Sequence, residues 1–156
     1  MRRLAAVMFT DIVGYSSRTQ EDERLALELL EEHRSLLRPL FQKYSGKEIK
    51  TIGDAFLVEF SSAVKAAECA IEIQRTIVER NAVEPAERRI QLRIGIHLGD
   101  IIHKKGDIYG DGVNIASRIQ PLAEPGGICL SEEMVAQVRS KITEPIIRIG
   151  IHRLKN

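Results

Sequence analysis

Two aspartates stand where carboxylates can act together. Asp11 follows closely on the apolar run Leu4-Ala5-Ala6-Val7-Met8-Phe9, and Asp54 sits in Gly53-Asp54, a turn signal between two short apolar segments. They lie 43 residues apart in the chain, yet a first strand beside a hairpin brings them to neighbouring strand ends. Like charges that close are costly unless a cation lies between them. Hard carboxylate oxygens suit Mg²⁺ or Mn²⁺, with substrate phosphates supplying further ligands. Taken singly, each aspartate reads as an N-cap or turn residue; as a pair bordering apolar strands, the metal reading is the better one. Gly14 and the backbone N–H groups around Phe9, Ile12 and Val13 form a candidate cradle for phosphate oxygens beside the metals. Asn114 and Arg118 are four apart and share a helix face. In isolation that pair reads as a surface residue and a salt-bridging arginine.

The elements that must position these groups follow from periodicity. Residues 4–9 read as a strand buried on both faces, and Asp11 to Ser17 as a polar, Gly-containing turn. Thr19-Gln20-Glu21-Asp22 has capping-box spacing and opens a long helix with an apolar face through Leu25, Leu29, Leu36, Leu37 and Leu40. Pro39 predicts a kink or an ending. Glu48–Ile52 and Ala55–Phe60 read as a hairpin around Gly53-Asp54. Ser61 or Ser62 caps an Ala-rich helix to about Arg80, with Ala63, Ala67, Ala70, Ile73 and Ile77 facing inward. Ile90–Leu98 alternates as a strand with one buried face, and a polar loop from Gly99 to Gly112 leads into a helix from Val113 to about Leu122. A strand at Ile128–Leu130, a helix from Ser131 and a final strand near Ile146–Leu154 complete the reading. The order predicts an α+β fold: a ferredoxin-like or palm-type β-α-β-β-α-β antiparallel sheet, helices on one face, and a C-terminal αβ extension. No repeat or internal linker interrupts it, so residues 1–156 read as one domain.

Composition removes other classes. The chain has 156 residues, 23 Lys+Arg against 22 Asp+Glu, and a formal charge of +1, which argues against a nucleic-acid or acidic-membrane binder. With no Trp, 4 Phe and 3 Tyr, an aromatic platform for single strands is not expected. Cys69 and Cys129 form no CxxC pair, so a reducing cytoplasm fits better than a disulfide framework. The six-residue apolar run after Arg2-Arg3 is too short for a signal peptide core or a membrane span, and any membrane attachment is expected to come from sequence outside this chain. Ser45-Gly46-Lys47 lacks the first glycine and the Ser/Thr of a phosphate loop. Gly110-Asp111-Gly112 lacks the third glycine of a dinucleotide fingerprint, with Ile115 in its place.

Three blocks in order carry a family resemblance: Phe9-Thr10-Asp11-Ile12-Val13-Gly14-Tyr15-Ser16, Ile49-Lys50-Thr51-Ile52-Gly53-Asp54, and Asp107 through Arg118. Together they resemble the class III nucleotidyl cyclase catalytic domain, the bacterial adenylate cyclase branch in particular, over nearly the whole chain. The resemblance implies that ATP is converted to 3′,5′-cyclic AMP and pyrophosphate with two divalent cations, Mg²⁺ or Mn²⁺, on Asp11 and Asp54. It implies that Lys50 and Asp107 read the purine, Asn114 orients the ribose, Arg118 stabilises the transition state and Lys155 holds the terminal phosphates. It also implies a homodimer with two shared sites and regulatory domains outside this segment. In similar proteins the Leu154-Lys155-Asn156 segment continues into a further strand, so the chain reads as an excised catalytic domain trimmed at that edge. Guanylate cyclase, and a silent dimerisation or regulatory module that keeps the fold, are the competing readings.

Overall fold

The computed structural model describes residues 1–146. Its elements are β1 (Arg2–Ile12), α1 (Tyr15–Glu21), α2 (Glu23–Lys43), β2 (Lys47–Ile52), β3 (Ala55–Phe60), α3 (Ala63–Ala82), β4 (Leu92–Lys104), β5 (Asp107–Tyr109), α4 (Asp111–Ile119), β6 (Ile128–Leu130) and α5 (Glu132–Val138). The sheet runs β2-β3-β1-β4-β5, antiparallel throughout, with β6 added parallel to β4. Of the expected final strand near Ile146–Leu154 only Ile146 is described, outside any strand, and residues 147–154 and Lys155 lie outside the described residues.

β1 is the central strand, which is why its sequence is continuously apolar. Ala6, Met8 and Ile12 point to one face, where they meet Phe56, Val58, Leu92, Ile94 and the inner faces of α2 and α3. Ala5, Val7 and Phe9 point to the other, with Leu57, Ile101, Ile108 and Ala116 of α4. The two long helices therefore cover one face as expected, while α4 lies against the other, a placement the sequence reading did not contain.

Four boundaries differ from the sequence reading, each because tertiary pairing outweighs a local signal. β1 does not stop at Phe9: its ladder with β4 continues to Ile12, so Asp11 is a strand residue opposite Arg93. The segment from Tyr15 is a separate short helix entered through Gly14 at φ 70, and the cap of α2 is Asp22, whose side chain accepts from Leu25 N. Pro39 neither ends nor splits α2, which runs to Lys43. Pro39 is exposed while Leu37 and Phe41 on either side of it are buried, and that burial holds the last turn in place. The stretch read as a loop from Gly99 is largely strand: β4 runs to Lys104, Lys105 and Gly106 turn with φ 53 and φ 78, and β5 returns. Two positive φ values in a two-residue turn are the type I′ signature.

The hairpin and the caps expected for the two later helices hold. Ile52 pairs with Ala55 around Gly53 at φ 60, and Ser62 and Ser131 cap α3 and α5 by accepting from Lys65 N and Met134 N.

Candidate functional site

Asp11 and Asp54 meet because β1 pairs with β3. The ladder between them includes Thr10 opposite Phe56, which sets the end of β1 beside the turn that carries Asp54. Asp54 Oδ2 accepts a hydrogen bond from Ile12 N at 2.7 Å. Asp11 is half-buried, and its Oδ1 is a buried oxygen without a hydrogen-bond partner among the described residues. Burial, then the charge of Asp54, raises the Asp11 carboxyl above its ordinary 3.8; the side-chain amide of Gln120 and the charge of Arg93 act the other way.

That arrangement fits a divalent cation. A buried carboxylate oxygen with nothing to accept from, beside a second carboxylate that raises its proton affinity, is the electrostatic situation a cation relieves. No group of three or more His, Cys, Asp or Glu side chains gathers as a metal cage among the described residues. A cation here would take its remaining ligands from oxygens outside the chain's acidic side chains, as phosphates can supply.

Lys50 and Asp107 come together from β2 and β5, at opposite ends of the strand order. The long β4 carries β5 back across the second face, where Ile108 joins the apolar cluster against which Ile49 packs. Lys50 Nζ then donates to Asp107 Oδ2 at 2.8 Å, with the two side chains 43% and 24% exposed. This exposure leaves the pair open to a ligand. Lys50, and then the Ile108 N–H donating to Oδ1 at 2.7 Å, hold the Asp107 carboxyl below the usual carboxylate range.

Asn114 and Arg118 share a face of α4. Asn114 is exposed, and Arg118 is half-buried with no side-chain hydrogen bond or ion pair among the described residues. The α4 N-terminus packs so closely on β4 that a Cβ at Gly112 would fall 2.6 Å from the Asp100 carbonyl oxygen, which fixes where the helix starts. The expected phosphate cradle is only partly open. Ile12 N–H is taken by Asp54 and Val13 N–H by the Gln91 carbonyl at 2.8 Å. Phe9 lies within the sheet ladder between Leu57 and Gly95. Extension of β1 through Ile12 is the reason, and exposed Gly14 at φ 70 is the member left at the surface.

Three residues at the site carry no motif of their own. Cross-strand pairing puts Arg93 opposite Asp11, and its Nε donates to the Ala123 carbonyl at 2.9 Å. Gln120 is 7% exposed, and its Nε2 lies 3.4 Å from the Arg93 carbonyl oxygen. Its backbone comes so near β4 that a Cβ at Gly95 would sit 2.5 Å from it. The available signal was Gly95 within an otherwise alternating strand. Arg34 on α2 donates from Nη2 to the Gly53 carbonyl at 3.0 Å, behind Asp54.

Comparison with known proteins places this geometry in context. The adenylate and guanylate cyclase catalytic domain family matches residues 3–147. A Rhizobium meliloti (strain 1021) protein provisionally named adenylate cyclase 3 is 41% identical over 99% of this chain and 27% of its own length. A Streptomyces coelicolor adenylate cyclase is 32% identical over 86% of this chain and 35% of its own. The chain thus spans about a third or less of these relatives. The crystal structure of an adenylate/guanylate cyclase/hydrolase from Silicibacter pomeroyi superposes with a TM-score of 0.94 at 38% identity, covering all of this chain and 91% of that one. Among the described residues no helix is long and apolar enough to cross a membrane.

Proposed function

The chain belongs to the adenylate and guanylate cyclase catalytic domain family, and from that premise we propose that it is an adenylate cyclase making 3′,5′-cyclic AMP and pyrophosphate from ATP. The observation that carries the reading is the unsatisfied Asp11 oxygen beside Asp54. Asp11 and Asp54 would hold two divalent cations, Mg²⁺ or Mn²⁺. Bound there, such ions lower the proton affinity of a hydroxyl and neutralise phosphate charge.

The side chains do the rest. Adenine presents an acceptor at N1 and donors at N6. The Lys50 ammonium has three N–H donors, so it can keep one on Asp107 and offer another to N1. Asp107, held ionised, accepts from N6. Guanine presents the reverse pattern, N1–H and O6, and would set Lys50 against a donor. Asn114 orients the ribose so that its 3′-oxygen attacks the α-phosphorus in line. The new P–O bond closes the ring, the bond to the bridging oxygen of the β-phosphate breaks, pyrophosphate leaves and the hydroxyl proton is released. Arg118 meets the charge that grows on the α-phosphate oxygens and the leaving group. Gly14 and Lys155 are assigned to the terminal phosphates.

The site is completed by a second copy of the chain in a homodimer, each copy giving Asp11 and Asp54 to one site and Lys50, Asp107, Asn114 and Arg118 to the other. Exposed Asn114 and Arg118, which lacks a partner among the described residues, support that assignment. The test is a protein concentration series with ATP or GTP and Mn²⁺, measuring cyclic nucleotide. Cyclic AMP production whose specific activity climbs with protein concentration is expected. A preference for GTP overturns the Lys50/Asp107 argument, and no product at high protein concentration favours the silent module.

A further inference from the structure

The β2–β3 hairpin carries two groups of the proposed site, Lys50 on β2 and Asp54 at the turn. Its outer strand has a neighbour on one side only: β2 is the edge strand, and its ladder with β3 shifts register between Glu48 and Lys50. Two guanidinium groups from α2 hold it from behind. Arg38 grips Glu48 with Nε and Nη2 at 3.0 and 3.2 Å and lies 5.6 Å from the centre of the Phe56 ring. One helical turn earlier, on the same face of α2, Arg34 donates to the Gly53 carbonyl at 3.0 Å. That carbonyl belongs to the peptide that leads into Asp54, and Asp54 in turn accepts from Ile12 N on β1 at 2.7 Å. A continuous chain of contacts therefore runs from α2 through Arg34, Gly53 and Asp54 to the β1 residue next to Asp11.

We infer that Arg34 is a positioning residue for Asp54: by fixing the Gly53–Asp54 peptide it keeps the Asp54 carboxylate beside Asp11. The inference rests on the reading of Asp54 as a metal-holding residue. It makes a prediction opposite in sign to a purely electrostatic role. A guanidinium near a cation site repels the cation, so loss of a bystander charge tightens metal binding. Loss of a group that holds the carboxylate in place weakens it.

The test uses the full chain and three proteins: wild type, Arg34→Ala and Arg34→Gln, the last keeping an N–H donor without the charge. Hydrogen exchange at the Ile12 amide is measured without metal, and Mn²⁺ binding is measured by calorimetry without nucleotide. In Arg34→Ala, Ile12 exchange should speed up about tenfold and Mn²⁺ affinity should fall several-fold. Its kcat should fall about 10- to 100-fold, the scale of a roughly 1 Å misplacement, while KM for ATP, measured at saturating Mn²⁺, moves little because Lys50 and Asp107 are untouched. Arg34→Gln should recover most of each loss, and it carries the test if the alanine variant fails to fold. Unchanged Ile12 exchange with unchanged or tighter Mn²⁺ binding in Arg34→Ala overturns the inference, as does a glutamine variant no better than alanine. If the wild type makes no cyclic nucleotide, the proposed activity fails, while Ile12 exchange and Mn²⁺ binding still decide the role of Arg34.

Discussion

Replacing Asp11 by Asn should abolish activity and yet make the metal-free protein more stable. In the folded chain the Asp11 carboxyl is raised above 3.8, first by burial and second by Asp54, so its ionised form is a folding liability at neutral pH. A buried polar group left unpartnered costs about 1–3 kcal/mol, and more when it is charged, so an amide that keeps the oxygen and sheds the charge keeps the smaller cost. Asp11 is only half-buried, and Gln120 and Arg93 offset part of this, so a net gain of about 1 kcal/mol is expected for Asp11→Asn, or about 2–4 °C in Tm for a domain of this size. The sign with pH follows from the raised carboxyl. The folded state takes up its proton at a higher pH than the unfolded chain, so the penalty is full at neutral pH. It fades as pH falls through the folded value and is gone below about pH 4. Added Mn²⁺ should reverse the ranking: at a hundredfold excess over Kd it stabilises the wild type by about 2.7 kcal/mol and leaves the variant nearly unmoved. Thermal melts of both proteins between pH 4 and 8, in chelator and then in Mn²⁺, give the four curves needed. An Asp11→Asn protein no more stable than wild type in chelator at neutral pH, or equal Mn²⁺ shifts in both, refutes the account of the site.

Lys50→Glu should cut ATP turnover at least a hundredfold and raise the GTP to ATP activity ratio, because a carboxylate faces N1 of adenine with an acceptor against an acceptor; parallel assays with both nucleotides check it. Arg118→Ala should lower kcat about 10²–10³-fold, the loss typical of a charge-stabilising donor, with the melting curve unchanged. His33 is fully buried against Phe56 and is pushed down to about 4, mainly by burial. Its contribution to stability is complete above pH 6.5 and is lost as pH falls from there through about 4, an acid penalty of about 3 kcal/mol. His33→Gln should flatten the denaturation free energy over that window, whatever its effect at neutral pH.

Much of the fold was legible because it is written in local patterns. Alternation marked β4, the apolar run marked β1, Gly53-Asp54 marked the hairpin, and Ser62 and Ser131 marked two helix starts. These signals concern residues within a turn or two of one another, where spacing alone decides which side chains share a face. The same is true of Asn114 and Arg118. Where the reading went astray, long-range pairing had overruled a local cue: β1 ran on through Asp11 because β4 was there to pair with it, and α2 passed Pro39 because Phe41 had a core to fill.

Type and spacing within the chain therefore determined that two carboxylates border apolar strands and that Asn114 and Arg118 share a helix face, while Lys50 and Asp107 were marked by the family resemblance. Only the tertiary structure decided what those groups feel. Pairing of β1 with β3 and β4 set Asp11 between Asp54 and Arg93. Gly95 admitted Gln120, α2 brought Arg34 behind the Asp54 turn, and the long β4 delivered Asp107 to Lys50 across 57 residues of chain. Charge interactions depend on distance and burial in space rather than on separation in sequence, so the electrostatics of this site came into being only when the sheet closed.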